Sequence, residues 1–174
     1  TYTKIITGED LMETAQHGST LYPFQFYYED LSVFDFNCIE WHWHTELEFI
    51  YIESGTVTLW IGEDQFHLTE GNGIFINTKV LHRLYSPSKA LIPNFVFMPS
   101  FIAPCDSLIY QKYILPIISS SLPFLVFHKK VCWQAKVLSI MRQIISAQDS
   151  VLSKELLTSS LLQNLWLEIF ENTD

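Results

Sequence analysis

The most informative segment of the 174-residue chain reads Trp41-His42-Trp43-His44-Thr45-Glu46-Leu47-Glu48. Because side chains alternate between the two faces of a β-strand, His42 and His44 should point to the same side. We expect both imidazoles to face the interior. The two tryptophans should be covered by the N-terminal segment or the C-terminal helices, since each buries a large apolar area. In a regular strand, one face holds Glu40, His42 and His44, and the other holds Ile39, Trp41 and Trp43.

Two more residues of metal-binding type follow along the chain. Glu48 comes after His44 with three residues between them, and His82 follows a strand that Gly71-Asn72-Gly73 opens. Imidazoles and carboxylates are ligands that divalent transition metals take, and neighbouring strands lie only ~4.8 Å apart. The sequence therefore predicts one cluster of His42, His44, Glu48 and His82. Three roles stay open for it: a metal site that performs chemistry, the wall of a ligand pocket with or without a metal, or an inert hydrogen-bonded core.

Residues 24–97 carry the pattern of antiparallel β-structure. Short apolar runs are separated at regular intervals by turn sequences such as Glu53-Ser54-Gly55 and Gly62-Glu63-Asp64. Between these two turns, Thr56–Ile61 alternates, with Val57 and Leu59 on one face. Hairpins of this kind build a sandwich or a barrel.

The C-terminal third changes to a helical pattern. Prolines mark residues 104–130 as a connector with a short helix near residues 108–114, and helices are predicted at 131–148 and 152–170. The first long helix has one apolar face, whereas the second has two stripes. One explanation is a helix wedged between the β-domain and its neighbouring helix. We favour a homodimer in which one stripe meets a second copy. The proposed interface stripe is Leu157, Leu161 and Leu165, and the other stripe is Leu162, Trp166, Ile169 and Phe170.

Composition excludes several classes of protein. Aromatic residues make up 15% and charged residues 17% of the chain, which excludes a disordered segment. The net charge is −9 and the basic residues are scattered, so we do not expect this chain alone to bind DNA. Neither a membrane span nor a signal peptide is predicted. The three cysteines are widely spaced, which is typical of reduced thiols in a cytoplasmic protein.

The spacing His42-x-His44-x3-Glu48-x6-Gly55, followed by Gly71-x-Gly73 and His82, resembles the two cupin motifs. Thr78 stands near the position where the second motif commonly has proline. The resemblance implies an antiparallel, jelly-roll-like β-barrel with the four predicted cluster residues inside it.

A narrower resemblance extends over nearly the whole chain. The run His17-Gly18-Ser19, the His42–Glu48 segment, Gly71–Asn77 with Leu81-His82, and Phe97–Ile102 are similar to the N-terminal half of AraC-family transcription regulators. In that family a small cupin barrel binds an effector, a helical pair dimerises, and a second domain with two helix-turn-helix units binds DNA. The resemblance implies that DNA binding belongs to a domain outside this chain.

We therefore predict a mainly β fold with C-terminal helices: an arm (1–21), a cupin barrel (22–103), a connector (104–130) and a helical dimerisation segment (131–174). His42, His44, Glu48 and His82 are the predicted ligand-binding residues. The effector is expected to be a sugar or a related metabolite; a divalent transition metal is compatible with the site and not required. The alternatives are a metal-dependent cupin enzyme of oxygenase or isomerase type, and a dimerisation module with a collapsed barrel. His17, His67 and His128 are expected to be ordinary surface or core residues.

Overall fold

The computed structural model describes residues 4–173 of the chain, so residues 1–3 of the predicted arm and residue 174 of the helical segment lie outside the described residues. Within the described part, nine strands form two antiparallel sheets. The order of strands is β1-β8-β3-β6-β9 in the larger sheet and β2-β7-β4-β5 in the smaller one. The strands are β1 (Phe24–Asp30), β2 (Cys38–His42), β3 (Leu47–Tyr51), β4 (Thr56–Ile61), β5 (Asp64–Thr69), β6 (Gly73–Ile76), β7 (His82–Tyr85), β8 (Leu91–Phe97) and β9 (Phe124–Phe127).

The C-terminal third contains a short helix α1 (Leu115–Ile118) and two long helices, α2 (Cys132–Ala147) and α3 (Lys154–Asn172). A π-helical turn over Tyr110–Ile114 leads into α1. The segment predicted as a connector also supplies β9, which pairs with β6 at the edge of the larger sheet. No helix in the described part of the chain is both long and apolar enough to cross a membrane.

The larger sheet separates two apolar layers because its side chains alternate between faces. Phe49, Phe75 and Phe95 are fully buried on the face that packs against α2 and α3. Ile50, Ile74 and Ile92 lie on the opposite face and pack against the smaller sheet. The domain therefore has three layers, with the helices on one side of the larger sheet and the smaller sheet on the other.

The predicted fold class, mainly antiparallel β-structure followed by a helical pair, is confirmed. The prediction of a barrel is corrected, because the two sheets do not close on each other. Strands β1 and β2 remain edges of separate sheets, and the N-terminal segment bridges this side of the domain. Its Glu13 amide donates to the carbonyl oxygen of Trp43 over 2.9 Å, and its His17 ring lies 2.6 Å from the Tyr27 hydroxyl on β1.

The predicted facing of residues 39–44 is wrong at its start because β2 contains a bulge. Ile39 pairs with Leu84 and His42 with His82, so one extra residue lies on β2 between the two pairs. Ile39 therefore faces the interior together with the histidines, and Glu40 lies on the outside. The expected cover of the outer face is confirmed at Trp43, whose indole nitrogen donates to the carbonyl oxygen of Asp10 in the N-terminal segment over 2.9 Å.

The predicted dimer stripe on α3 is also corrected. Leu165 is fully buried in the chain's own core, and Leu161 packs against the same core. Because both side chains contact the larger sheet or its neighbouring helices, they belong to the inward face together with Leu162 and Trp166. Only Leu157, 39% exposed, stays accessible enough to meet a partner.

Candidate functional site

The four predicted cluster residues come together at one end of the space between the sheets. His42 ends β2, His82 begins β7, Glu48 lies on β3 and His44 lies in the loop between β2 and β3. All four are buried, and each of the three histidines has a ring nitrogen within 4.8 Å of the other two. Distant parts of the sequence therefore form one group of side chains, as the spacing predicted.

Backbone carbonyls fix the orientation and the tautomer of all three imidazoles. In each ring Nδ1 lies within hydrogen-bond distance of a carbonyl oxygen two residues away, and a carbonyl can only accept. Each Nδ1 therefore carries the hydrogen, and Nε2 is the nitrogen left for the site. The pairs are His42 with Glu40 at 2.8 Å, His44 with Glu46 at 3.0 Å and His82 with Val80 at 2.8 Å.

The cluster contains one ion pair and two imidazoles, His42 and His82, whose pKa burial lowers. His44 Nε2 lies 3.0 Å from Glu48 Oε2. Burial alone would lower the pKa of His44, but the hydrogen bond and charge of Glu48 raise it to about 9; burial would raise the pKa of Glu48, but His44 holds it at about 2. Burial and the neighbouring His42 lower the pKa of His82 to about 3. His44 is therefore charged at neutral pH and His82 is neutral.

The donor set fits a divalent transition metal. His82 Nε2 is fully buried, has no hydrogen-bond partner among the described residues and lies 3.9 Å from Glu48 Oε2. Its ring lies with those of His42 and His44, each offering one nitrogen within 4.8 Å of the other two, and His44 could bind a metal after it releases its proton. Three imidazoles with carbonyl-bonded Nδ1 atoms are the arrangement in which protein histidines hold metals. A metal there would supply Lewis acidity, and His42, His44, His82 and Glu48 would hold it.

A cavity of about 440 Å³ opens beside this cluster, between the two sheets and the N-terminal segment. His42, His44 and Glu48 line it, whereas His82 lies behind them. The remaining lining is mixed in character. Its polar residues are Glu13, His17, Tyr27, Glu29 and Asn94, and its aliphatic residues are Ile39, Ile50, Leu84, Ile92 and Val96.

His17, which was expected to be an ordinary surface or core residue, is buried and lies in the lining of the cavity. Its Nδ1 lies 2.6 Å from the Tyr27 hydroxyl, its Nε2 lies 3.1 Å from Glu13, and its ring centre lies 5.8 Å from that of His44. Burial would lower the pKa of His17, but the hydrogen bond and charge of Glu13 raise it. The sequence feature that could have indicated this position is the run His17-Gly18-Ser19, one of the segments that resemble the AraC family. His67, in contrast, bonds to Thr58 at 2.9 Å, away from the cavity.

Glu29 is the least compensated carboxylate of the cavity. Burial and the negative charges of Glu48 and Glu13 raise its pKa to about 7. The Asn94 amide donates a hydrogen bond to the carboxylate over 3.0 Å, which lowers the pKa but does not offset this rise. Between pH 4.5 and 7 the folded protein holds a proton on Glu29 that the unfolded chain has released. Stability therefore falls as pH rises through this window, and the full penalty applies above it.

We expect Glu29→Gln to raise the free energy of unfolding by about 2 kcal/mol at pH 8 and by much less at pH 5. Urea unfolding at the two pH values measures the difference. The matched control is Glu63→Gln in the exposed β4–β5 turn, where we expect no change. An equal gain at both pH values would show that the ionised carboxylate is not the cause.

The chain is similar to regulators of one family. The family profile described as "AraC-like ligand binding domain" matches residues 25–166. An uncharacterized HTH-type transcriptional regulator, YdeC of Bacillus subtilis (strain 168), is 24% identical over 143 residues, which are 80% of this chain and 48% of that protein. The chain thus spans about half the length of this curated relative.

Solved structures share the fold at low sequence identity. An apo form of ToxT from Vibrio cholerae strain SCE256 superposes with a TM-score of 0.60 at 11% identity, over 90% of this chain and 58% of that one. A second ToxT structure from Vibrio cholerae gives 0.55 at 13% identity, over 86% and 55%. With the family profile matching most of the chain, this protein belongs to the AraC-like ligand-binding domain family.

Proposed function

We propose that this chain is the effector-sensing domain of an AraC-like transcription regulator. A small metabolite binds in the cavity between the sheets, and a helix-turn-helix domain outside this chain binds DNA. The observation that carries the proposal is the cavity of about 440 Å³, whose mixed lining of hydrogen-bonding and aliphatic side chains is typical of small-molecule sites. A cavity of this size also argues against a dimerisation module with a collapsed interior.

A sugar or a related hydroxylated metabolite is the effector class proposed by analogy with the family. The carboxylates, imidazoles and amide of the lining suit hydroxyl groups, which both donate and accept hydrogen bonds. Aliphatic residues lie among them in the lining, so the effector also presents a carbon skeleton.

The proposed response is a shift between arrangements of the N-terminal segment. Ile5, Glu13 and His17 of this segment line the cavity, so a bound effector contacts both the sheets and the segment. A ligand that contacts one arrangement better than another shifts the population towards it. The DNA-binding domains would then be presented differently.

A metal at the histidine cluster is a second candidate, favoured by the unpartnered Nε2 of His82. Such a metal would help bind the effector. The same donor set is also compatible with a metal-dependent cupin enzyme, and membership of a ligand-binding family favours the sensor. A native mass spectrum of protein purified without added ligand reports bound metal, bound metabolite and oligomeric state together.

We also propose that the chain forms a homodimer through the region where α3 begins. Val151 and Leu152 are almost fully exposed and Leu156 is 77% exposed. Soluble monomers seldom leave apolar side chains exposed in a group. Leu157, from the predicted interface, lies at the edge of this group on the same helix.

The effector site is tested by filling the cavity from its mouth. Ala15 lines the cavity and is exposed to solvent, so a larger side chain there should occupy the cavity without displacing the core. We expect Ala15→Trp to abolish the rise in melting temperature that the effector or its analogues give. The control Gln16→Trp places the same bulk on the neighbouring exposed residue, outside the lining, and should bind normally. Normal binding by Ala15→Trp would contradict the proposed site.

A further inference from the structure

The cavity is rich in carboxylates. Glu13, Glu29, Asp30 and Glu48 all line it, and among the described residues no Lys or Arg side chain does. A ligand that carries a carboxylate or phosphate would enter a field of like charge, which costs binding free energy. The composition of the walls therefore favours a neutral or a positively charged ligand.

Three of the four carboxylates have a basic partner within the protein. Glu13 Oε2 lies 3.1 Å from His17 Nε2, Glu48 Oε2 lies 3.0 Å from His44 Nε2, and Asp30 Oδ2 lies 3.7 Å from Lys89 Nζ. Each of these pairs compensates its own carboxylate.

Glu29 differs from the other three. Its carboxylate accepts one hydrogen bond, from the Asn94 amide at 3.0 Å, and no salt bridge to it occurs within the described part of the chain. The alternation of β1 places Glu29 on the same face as Tyr27, towards the cavity. Its surroundings oppose ionisation, as the raised pKa of about 7 indicates.

A metal at the histidine cluster would not remove this imbalance. It would compensate Glu48, which lies within 3.9 Å of both His44 and His82. Glu29 would still face the cavity with an amide as its hydrogen-bond donor. The missing group is therefore a cation or a strong donor that arrives with the ligand.

We infer that the effector carries a protonated amine, which forms an ion pair with Glu29 while its carbon skeleton contacts the aliphatic residues of the lining. The inference rests on the proposed effector site and narrows its ligand to hydroxylated or aliphatic amines. A charge-assisted hydrogen bond at this position is stronger than one from a neutral hydroxyl. An amine should therefore bind better than an alcohol of the same skeleton.

The test compares amines with neutral counterparts by isothermal titration calorimetry. The pairs are D-glucosamine with D-glucose and 1-hexylamine with 1-hexanol. For at least one pair, we expect the amine to bind about tenfold more tightly to the wild-type chain and to Glu63→Gln. Glu29→Gln should lose this preference, because the amide that replaces the carboxylate carries no charge to pair with the amine. Glu29→Gln removes a destabilising carboxylate, so we expect it to fold.

The outcomes separate the inference from the function on which it rests. The amine inference is wrong if no amine is preferred over its counterpart, or if Glu29→Gln keeps the preference. If the neutral compounds still bind and Ala15→Trp removes that binding, the effector site stands without the amine. If Ala15→Trp leaves the binding of every compound intact, the proposed effector site itself is wrong.

Discussion

Glu48→Gln is expected to lower the free energy of unfolding by about 3 kcal/mol near pH 6, because it leaves the buried His44 without its counter-charge. The two groups lie 3.0 Å apart, and both are buried. Without the carboxylate, His44 must either keep an uncompensated charge or release its proton on folding. Either outcome costs free energy relative to the wild-type chain.

The pH dependence of this loss identifies its cause. The contribution of His44 is complete below pH 6.5 and is lost as pH rises through about 9. The contribution of Glu48 is complete above pH 4.5 and is lost as pH falls through about 2. The ion pair therefore stabilises the fold most between pH 4.5 and 6.5.

Urea unfolding at pH 6 and pH 10 measures both halves of this prediction. We expect the effect of Glu48→Gln to shrink at pH 10, where His44 is neutral in the folded state. The matched control is Glu46→Gln, because Glu46 Oε2 lies 3.8 Å from His44 Nδ1, which already donates to a carbonyl. An effect of equal size at both pH values would point to lost packing instead of a lost ion pair.

The cluster could be predicted from the sequence because its members obey strand geometry. His42 and His44 are two residues apart, Glu48 begins the pairing of β3 with β6, and His82 begins β7 directly opposite His42. Antiparallel pairing of β2 with β7 and of β3 with β6 brings these positions to one end of the domain. The strands and the helical pair followed from two-residue periodicity in the first part of the chain and helical periodicity near the C-terminus. The three-layer arrangement did not, because a closed barrel was predicted where the structure has two separate sheets.

The features that the sequence missed depend on single-residue events or on contacts distant in sequence. The bulge in β2 turns Ile39 inward, and alternation alone cannot reveal an extra residue. His17 enters the cavity because the N-terminal segment crosses from Trp43 to Tyr27. Periodicity predicts two apolar stripes on α3, but it does not show how much of the helix surface the core covers. The core covers enough of it to bury Leu165.

Leu165→Glu is expected to unfold the chain, with a loss of about 5 kcal/mol or more, because it buries a charge without a partner. Leu165 is fully buried among the side chains of the core, next to Leu162 and Trp166. Circular dichroism should show loss of the cooperative thermal transition. A folded, monomeric Leu165→Glu variant would instead restore the original assignment of Leu165 to the dimer interface.

Leu156→Glu is the matched variant that tests the dimer without disturbing the core. The two positions lie on the same helix, but Leu156 is 77% exposed, so its replacement should change the stability of a monomer by less than about 0.5 kcal/mol. If the start of α3 forms the interface, sedimentation should show wild-type dimers and Leu156→Glu monomers, because a two-fold contact places each new charge close to its copy. Wild-type monomers, or dimers that survive Leu156→Glu, would rule out this surface.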